Sequence, residues 1–172
     1  MAVIEAIATT YLEANTSSVS FTSLGSYEHL QVRASLHGTH TSAAHLWLRP
    51  NGDTTGINWF DWVEGVGSTA WSDGRFNLYP YQNLYEIPTV TSHNEAYATY
   101  VIDIFDYRNT GKTTTMTYLQ GYNGIIGSNT SRVLFGQGLY RTTSALTSLE
   151  FLPSTGSFKR GSSFTVYGLN NS

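Results

Sequence analysis

The sequence predicts an all-β chain, a single-domain antiparallel β-sandwich over residues 1–172, jelly-roll-like, with about 10–12 short strands. Three observations lead there. Apolar side chains alternate with period two through several segments, and Gly, Pro, Asn and Ser clusters break the chain at short intervals. No stretch carries a convincing helical period, and no composition shift or fixed-period repeat marks a second domain.

Taken in order, residues 4–12 and 19–24 read as short strands on either side of a turn-rich stretch at 14–18. Residues 29–37 show the cleanest alternation: Leu30, Val32, Ala34 and Leu36 point one way, while His29, Gln31, Arg33, Ser35 and His37 point to solvent. Residues 44–49 repeat the pattern, with Leu46 and Leu48 set against His45, Trp47 and Arg49, and Pro50-Asn51-Gly52-Asp53 closes it as a tight turn. From 57 to 85 the alternation weakens among many aromatics, so this section reads as short strands or loops, a variable insertion of the fold. Residues 97–107 (YATYVIDIFDY) are rich in β-branched and aromatic side chains and read as a long strand. The turn at 108–112 joins it in a hairpin to the Thr-rich strand at 113–122. Gly121, Gly124, Gly127, Gly136 and Gly138 punctuate a loop and a strand around 132–140. Finally, 145–152 and 162–169 read as the two arms of a hairpin with a long loop. Leu149 and Phe151 on one arm, and Phe164 and Val166 on the other, face the core.

Composition narrows the function. Charged residues make up 12% of the chain, about half the usual share, while 12 Tyr, 4 Trp and 8 Phe supply residue types favoured at interfaces. The net charge of −3 offers no basic footprint for nucleic acid. Without Cys there is no disulfide, thiolate metal site or thiol nucleophile. Neither an export signal nor a membrane-spanning apolar run is expected.

The candidate sites each have a plainer reading. Gly111-Lys112-Thr113 lacks the earlier glycine of a phosphate loop, because Asp106 occupies that place, and so reads as a hairpin turn. His37, His40 and His45 have a spacing that could ligate a transition metal, but no carboxylate neighbour orients them, and no metal is assigned. Asp103 and Asp106, like Asp61 and Glu64, stand three apart on strands and so face opposite ways, which rules them out as an acid–base pair. Asp106 is instead expected to accept backbone N–H bonds at its hairpin corner. Asn51, Asp53 and Thr55 provide too few oxygens for Ca2+ and read as a turn. Neither a catalytic residue nor a cofactor is expected. Trp59, Trp62, Trp71, Tyr79 and Tyr81 are the interface candidates: they could stack on sugar rings, bury against a neighbouring subunit or belong to the core, and the low charge favours the subunit.

Residues 102–115 (IDIFDYRNTGKTTT) and 143–169 (TSALTSLEFLPSTGSFKRGSSFTVYGL) resemble a family of small β-sandwich virion proteins of tailed bacteriophages. Residues 18–33 are similar to that family's first strands and Asn51-Gly52-Asp53-Thr54 to its turn, so the resemblance covers about half of the chain. Leu146, Leu149 and Val166 stand where other large aliphatics are the pattern, and residues 57–85 match nothing in it. The resemblance implies a virion structural protein without catalytic residues. The expected role is a capsid decoration (cement) protein, a homotrimer bound across major capsid protein subunits; the alternative is a tail-fibre or baseplate module that recognises cell-surface glycans. Neither nucleic acid nor membrane is an expected partner.

Overall fold

The computed structural model describes residues 3–90, 96–123 and 131–170. Twelve strands follow one another, and no described residue is helical. They are β1 (Val3–Tyr11), β2 (Val19–Phe21), β3 (His29–Leu36), β4 (Ala44–Pro50), β5 (Asn58–Val66) and β6 (Thr69–Tyr79). Then come β7 (Gln82–Ile87), β8 (Ala98–Phe105), β9 (Thr114–Tyr122), β10 (Arg132–Tyr140), β11 (Leu149–Pro153) and β12 (Ser163–Asn170). All pairings are antiparallel. The strands form an eight-stranded sheet, in the order β1-β12-β3-β8-β9-β10-β5-β6, and a four-stranded sheet, β2-β11-β4-β7.

Setting aside β5, β6, β9 and β10 leaves two matched four-stranded sheets, β1-β12-β3-β8 and β2-β11-β4-β7. The chain crosses between them at nearly every step, which is the jelly-roll arrangement. The core lies between these two layers. Leu30, Val32, Leu36, Ile102, Ile104, Phe164 and Val166 on one layer and Leu46, Leu48, Leu84, Leu149 and Phe151 on the other are all fully buried. Burial alternates along β3, β4 and β12 as the period-two pattern requires, because successive side chains of a strand leave by opposite faces.

The remaining four strands extend only one layer. The hairpin β5–β6 enters between β4 and β7, β9 and β10 enter between β8 and β11, and together they continue the large sheet beyond β8. The small sheet ends at β7, which packs against β5, β9 and β10. Beyond β7, the inner face of β5 and β6 has no strand of the small sheet to cover it.

Two expectations about local structure are corrected. Residues 145–152 and 162–169 are not a hairpin: β11 pairs with β2 and β4 in the small sheet, whereas β12 pairs with β1 and β3 in the large one. The connection between them crosses the edge of the sandwich. It is anchored by Phe158, fully buried and edge-on to Phe164, whose backbone exchanges two hydrogen bonds with Thr16 at 2.9 and 3.1 Å. The aromatic section is an insertion but not an irregular one, since β6, at 11 residues, is the longest strand described. The other hairpin stands as expected, with β8 and β9 paired from Thr99↔Gly121 to Phe105↔Thr115. Gly124 and Gly127 lie outside the described residues.

Candidate functional site: an aromatic cleft beside the jelly roll

Where the inner face of β5–β6 passes the edge of the small sheet, the two surfaces enclose an open cleft of about 760 Å³. Strand β5 contributes Phe60, Trp62 and Glu64 from its inner face, and β6 contributes Trp71, Asp73 and Tyr79. The outward face of β4 supplies His45 and Trp47, β7 supplies Asn83 and Tyr85, and Tyr81 comes from the turn between β6 and β7.

The rings are packed in series. Trp47 and Tyr81 stack at 4.0 Å with a 10° interplanar angle, and Phe60, buried at the floor, lies 5.0 Å from Tyr79 and 6.1 Å from Trp62. Trp62 leans on Tyr85 at 5.2 Å, and His45 on the same ring at 5.4 Å. Trp71, at the open end, keeps 56% of its surface exposed. Glycines in β10 bring the floor close: a Cβ at Gly136 would stand 2.2 Å from the Tyr118 ring, and one at Gly138 would stand 2.3 Å from Gln82 Oε1. That contact explains the glycines of this strand. Tyr118 reaches over Gly136 to donate its hydroxyl to the Asn83 carbonyl at 3.1 Å, and Gln82 donates to Asn58 Oδ1 at 3.0 Å and to the Leu139 carbonyl at 2.9 Å. These bonds tie β7 to the extended sheet.

Beneath the rings lies a charged cluster. Glu64, 5% exposed, accepts from the Tyr85 hydroxyl at 2.7 Å and from Arg132 Nη1 at 3.0 Å, while Arg132 Nη2 pairs with Glu86 at 3.2 Å. Burial and then the Glu64 carboxylate push the Tyr85 hydroxyl up to about 12, so it remains a donor throughout the physiological range. Tyr85 also holds φ at +73°, a conformation that costs a bulky residue about 1–3 kcal/mol, and it lies where the β4–β7 register shifts between the pairs His45↔Glu86 and Trp47↔Asn83. Its N–H donates to Asn83 Oδ1 at 3.1 Å, and the Asn83 amide nitrogen stands 2.9 Å from His45 Nδ1. Desolvation lowers the His45 pKa, against the opposing pull of Glu86, and leaves the ring uncharged at neutral pH.

Of the five aromatic candidates, Trp62, Trp71, Tyr79 and Tyr81 meet in this cleft. Trp59 does not. It leaves β5 by the opposite face, where the Arg141 guanidinium lies 4.4 Å over its ring and Leu139 and Phe105 help to line a separate hollow of about 470 Å³. Trp47, Phe60, Tyr85, His45, Asn83 and Glu64 were not anticipated as partners. The available signal was the tryptophan in the alternate set of residues 44–49: a face that carries Trp47 is not a free solvent face.

The other motifs resolve into local structure. His37 is fully buried, not on a solvent face, because Phe158 and its connection close over it; its Nδ1 lies 2.7 Å from the Gly38 carbonyl. His40 Nε2 lies 3.1 Å from the Ile87 carbonyl, so the three imidazoles engage separate partners, and no metal-binding group of three ligands occurs among the described residues. Asp61 faces outward and Glu64 inward, as spacing required. Asp103 accepts from Gln31 Nε2 at 2.8 Å. The Asp106 side chain does not cap its turn. It pairs with Lys112 and stands 3.6 Å from His29, while Asn109 Oδ1 accepts the Gly111 N–H at 2.7 Å in its place. Asn51 and Gly52 both adopt positive φ, and Asp53 Oδ1 accepts from the Thr55 N–H and hydroxyl at 2.7 and 2.6 Å, a closed turn with its oxygens engaged.

The outer face of the extension carries an apolar row beside the Asp61–Gln137 hydrogen bond. Val63, Phe135, Leu119 and Val101 stand opposite one another across β5, β10, β9 and β8, and the first three are each at least half exposed. A comparison with protein-family models, curated proteins and solved structures finds no significant match to this chain.

Proposed function

We propose that the protein is a non-enzymatic binding module that holds glycan chains in the aromatic cleft. The observation that carries this reading is the convergence of Trp62, Trp71, Tyr79 and Tyr81 on one concave, open surface rather than on a flat one. A pyranose ring has an apolar C–H face that stacks on such rings and a rim of hydroxyls that needs fixed polar partners. Asn83, Glu64, Asp73 and His45 stand among the aromatics in that capacity. The cleft volume lies within the range of about 300–1,000 Å³ common to small-ligand sites. In the virion setting implied by the resemblance, this is a receptor-binding module on a tail fibre or baseplate. On a glycan array, the protein should bind, Trp71→Ala and Trp62→Ala should abolish binding while the fold survives, and Trp59→Ala should retain it. Absence of binding to any glycan overturns the reading.

The outer face favours a second reading. Half-exposed Val63, Leu119 and Phe135 in one row are suited to protein contact, as in a decoration protein bound across major capsid protein subunits, and every bound copy would favour the assembled shell by mass action. High copy number in purified heads, together with earlier rupture of heads stripped of the protein, supports it; a location in the tail overturns it.

A further inference from the structure

We propose that the hollow between Trp59 and Phe105 on the outer face is an anchor pocket for a tyrosine or tryptophan side chain of a protein partner, an inference that rests on the outer-face reading and names what such a partner inserts. Two rows of side chains build the pocket. Cross-strand pairing sets Trp59, Leu139, Thr115 and Phe105 side by side across β5, β10, β9 and β8, and about 7 Å further along the strands it sets Asp61, Gln137 and Thr117. Thr115 is the small member of the first row, and a hollow of about 470 Å³ opens among its larger neighbours. Both aromatic walls are held by groups that do not line it: the Arg141 guanidinium lies 4.4 Å over the Trp59 ring, and the His29 ring stands 5.7 Å from that of Phe105. Walls already in place lose little freedom when the pocket fills.

The chemistry around the hollow selects its occupant. Gln137 Nε2 donates to Asp61 Oδ2 at 3.1 Å, which leaves Asp61 Oδ1 and the Thr117 hydroxyl without a partner among the described residues, both on the side away from Trp59, Leu139 and Phe105. An acidic side chain would meet the Asp61 carboxylate, and a cationic one the Arg141 guanidinium. A purely aliphatic one would cover Asp61 Oδ1 without replacing its water. A sugar carries hydroxyls around its whole rim, and those turned toward Trp59, Leu139 and Phe105 would be buried unpaired. A phenol or indole ring lays its faces against the apolar row and offers a single O–H or N–H to the acceptor at the edge. Tyr and Trp are also among the side chains that dominate binding energy at interface centres. The exposed row of Val63, Phe135 and Leu119 follows directly beyond Asp61 and Gln137 on the same face, and an occupant that covers both is a protein surface rather than a free aromatic compound.

The test titrates the full chain with N-acetyltyrosinamide and N-acetyltryptophanamide, with N-acetylphenylalaninamide as the ring that lacks a donor, and follows backbone amide and Trp indole resonances by NMR. The Tyr or Trp probe should shift the amides of Thr115, Thr117 and Leu139 and bind at least about fivefold more tightly than the Phe probe. Asp61→Ala should remove that margin. Thr115→Leu, which fills the hollow from an exposed position, should abolish the shifts while the rest of the spectrum is kept, and Phe135→Ser in the neighbouring row should leave them intact. Absence of shifts at these residues, shifts confined to the cleft around Trp71 and Tyr81, or equal binding of the Phe probe overturns the inference. The outer-face reading is decided separately, by copy number and by location in head or tail.

Discussion

The jelly-roll body and the four added strands distribute polar and apolar side chains differently. In the body, β3, β8 and β12 bury aliphatic side chains inward, and β3 places Gln31 and Arg33 outward. In the extension, β5 turns Asn58 and Glu64 inward and Val63 outward, and β10 turns glycines inward with Val133 and Phe135 outward. The body has an opposing sheet to fill, which demands shape-matched apolar side chains at native density. The extension partly overhangs that sheet: Met116, Tyr118 and Leu134 still join the core, while the rest of its inner face is finished by rings and a buried ion cluster, and its outer face carries a row of exposed apolar side chains.

Three measurements sharpen the contrast, beginning with the largest expected effect. Phe164→Ala removes a fully buried ring that packs on Phe151 and Phe158, and it should cost the body about 3–5 kcal/mol in denaturant unfolding. A loss near zero would show that the body does not depend on this layer. Arg132→Ala strands Glu64, and equilibrium unfolding should show a loss of about 3 kcal/mol, whereas Arg132→Ala combined with Glu64→Gln should recover part of it. Equal losses in the single and double variants would mean that the pair is not a coupled unit. The smallest effect is a pH dependence. Burial lowers the pKa of both His45 and His40 below the ordinary 6.5, so the unfolded chain takes up protons first as pH falls. Stability should be full above that value and decline as pH falls through it toward the lower folded-state values, and His45→Gln should flatten part of the decline. A stability profile flat between neutrality and pH 5 would contradict the burial of these rings.

The sequence made the body legible and the extension opaque for the same physical reason. Where a strand separates core from solvent, as at Leu30, Val32, Ala34 and Leu36, the period-two contrast is visible and the facing follows. Strand β5, read as NWFDWVEGV, has partly apolar surroundings on both faces, so the contrast vanishes and the segment resembles a loop. The terminal arm failed differently. A strand, a loop and a strand look alike whether they fold back within one sheet or cross to the opposite one, and the residue that distinguishes them here is Phe158, an aromatic within the connection. Four of the five aromatic candidates could be found from composition because they fall in one run of sequence. Sorting Trp59 from Trp62 required knowing that both faces of β5 were in use, and finding Trp47 and Tyr85 required the packing of β7 against the added strands.

The point at which β9 joins β8 has a further implication for how such a protein can be altered. The large sheet continues past β8 through the β8–β9 pairing, and β7 of the small sheet also packs on β5, β9 and β10. Side-chain changes on the outer face of the added strands leave the registers of β1, β12, β3 and β8 in place. A designer can therefore vary that outer face on the same frame, whereas the cleft draws Trp47, Asn83 and Tyr85 from the body itself.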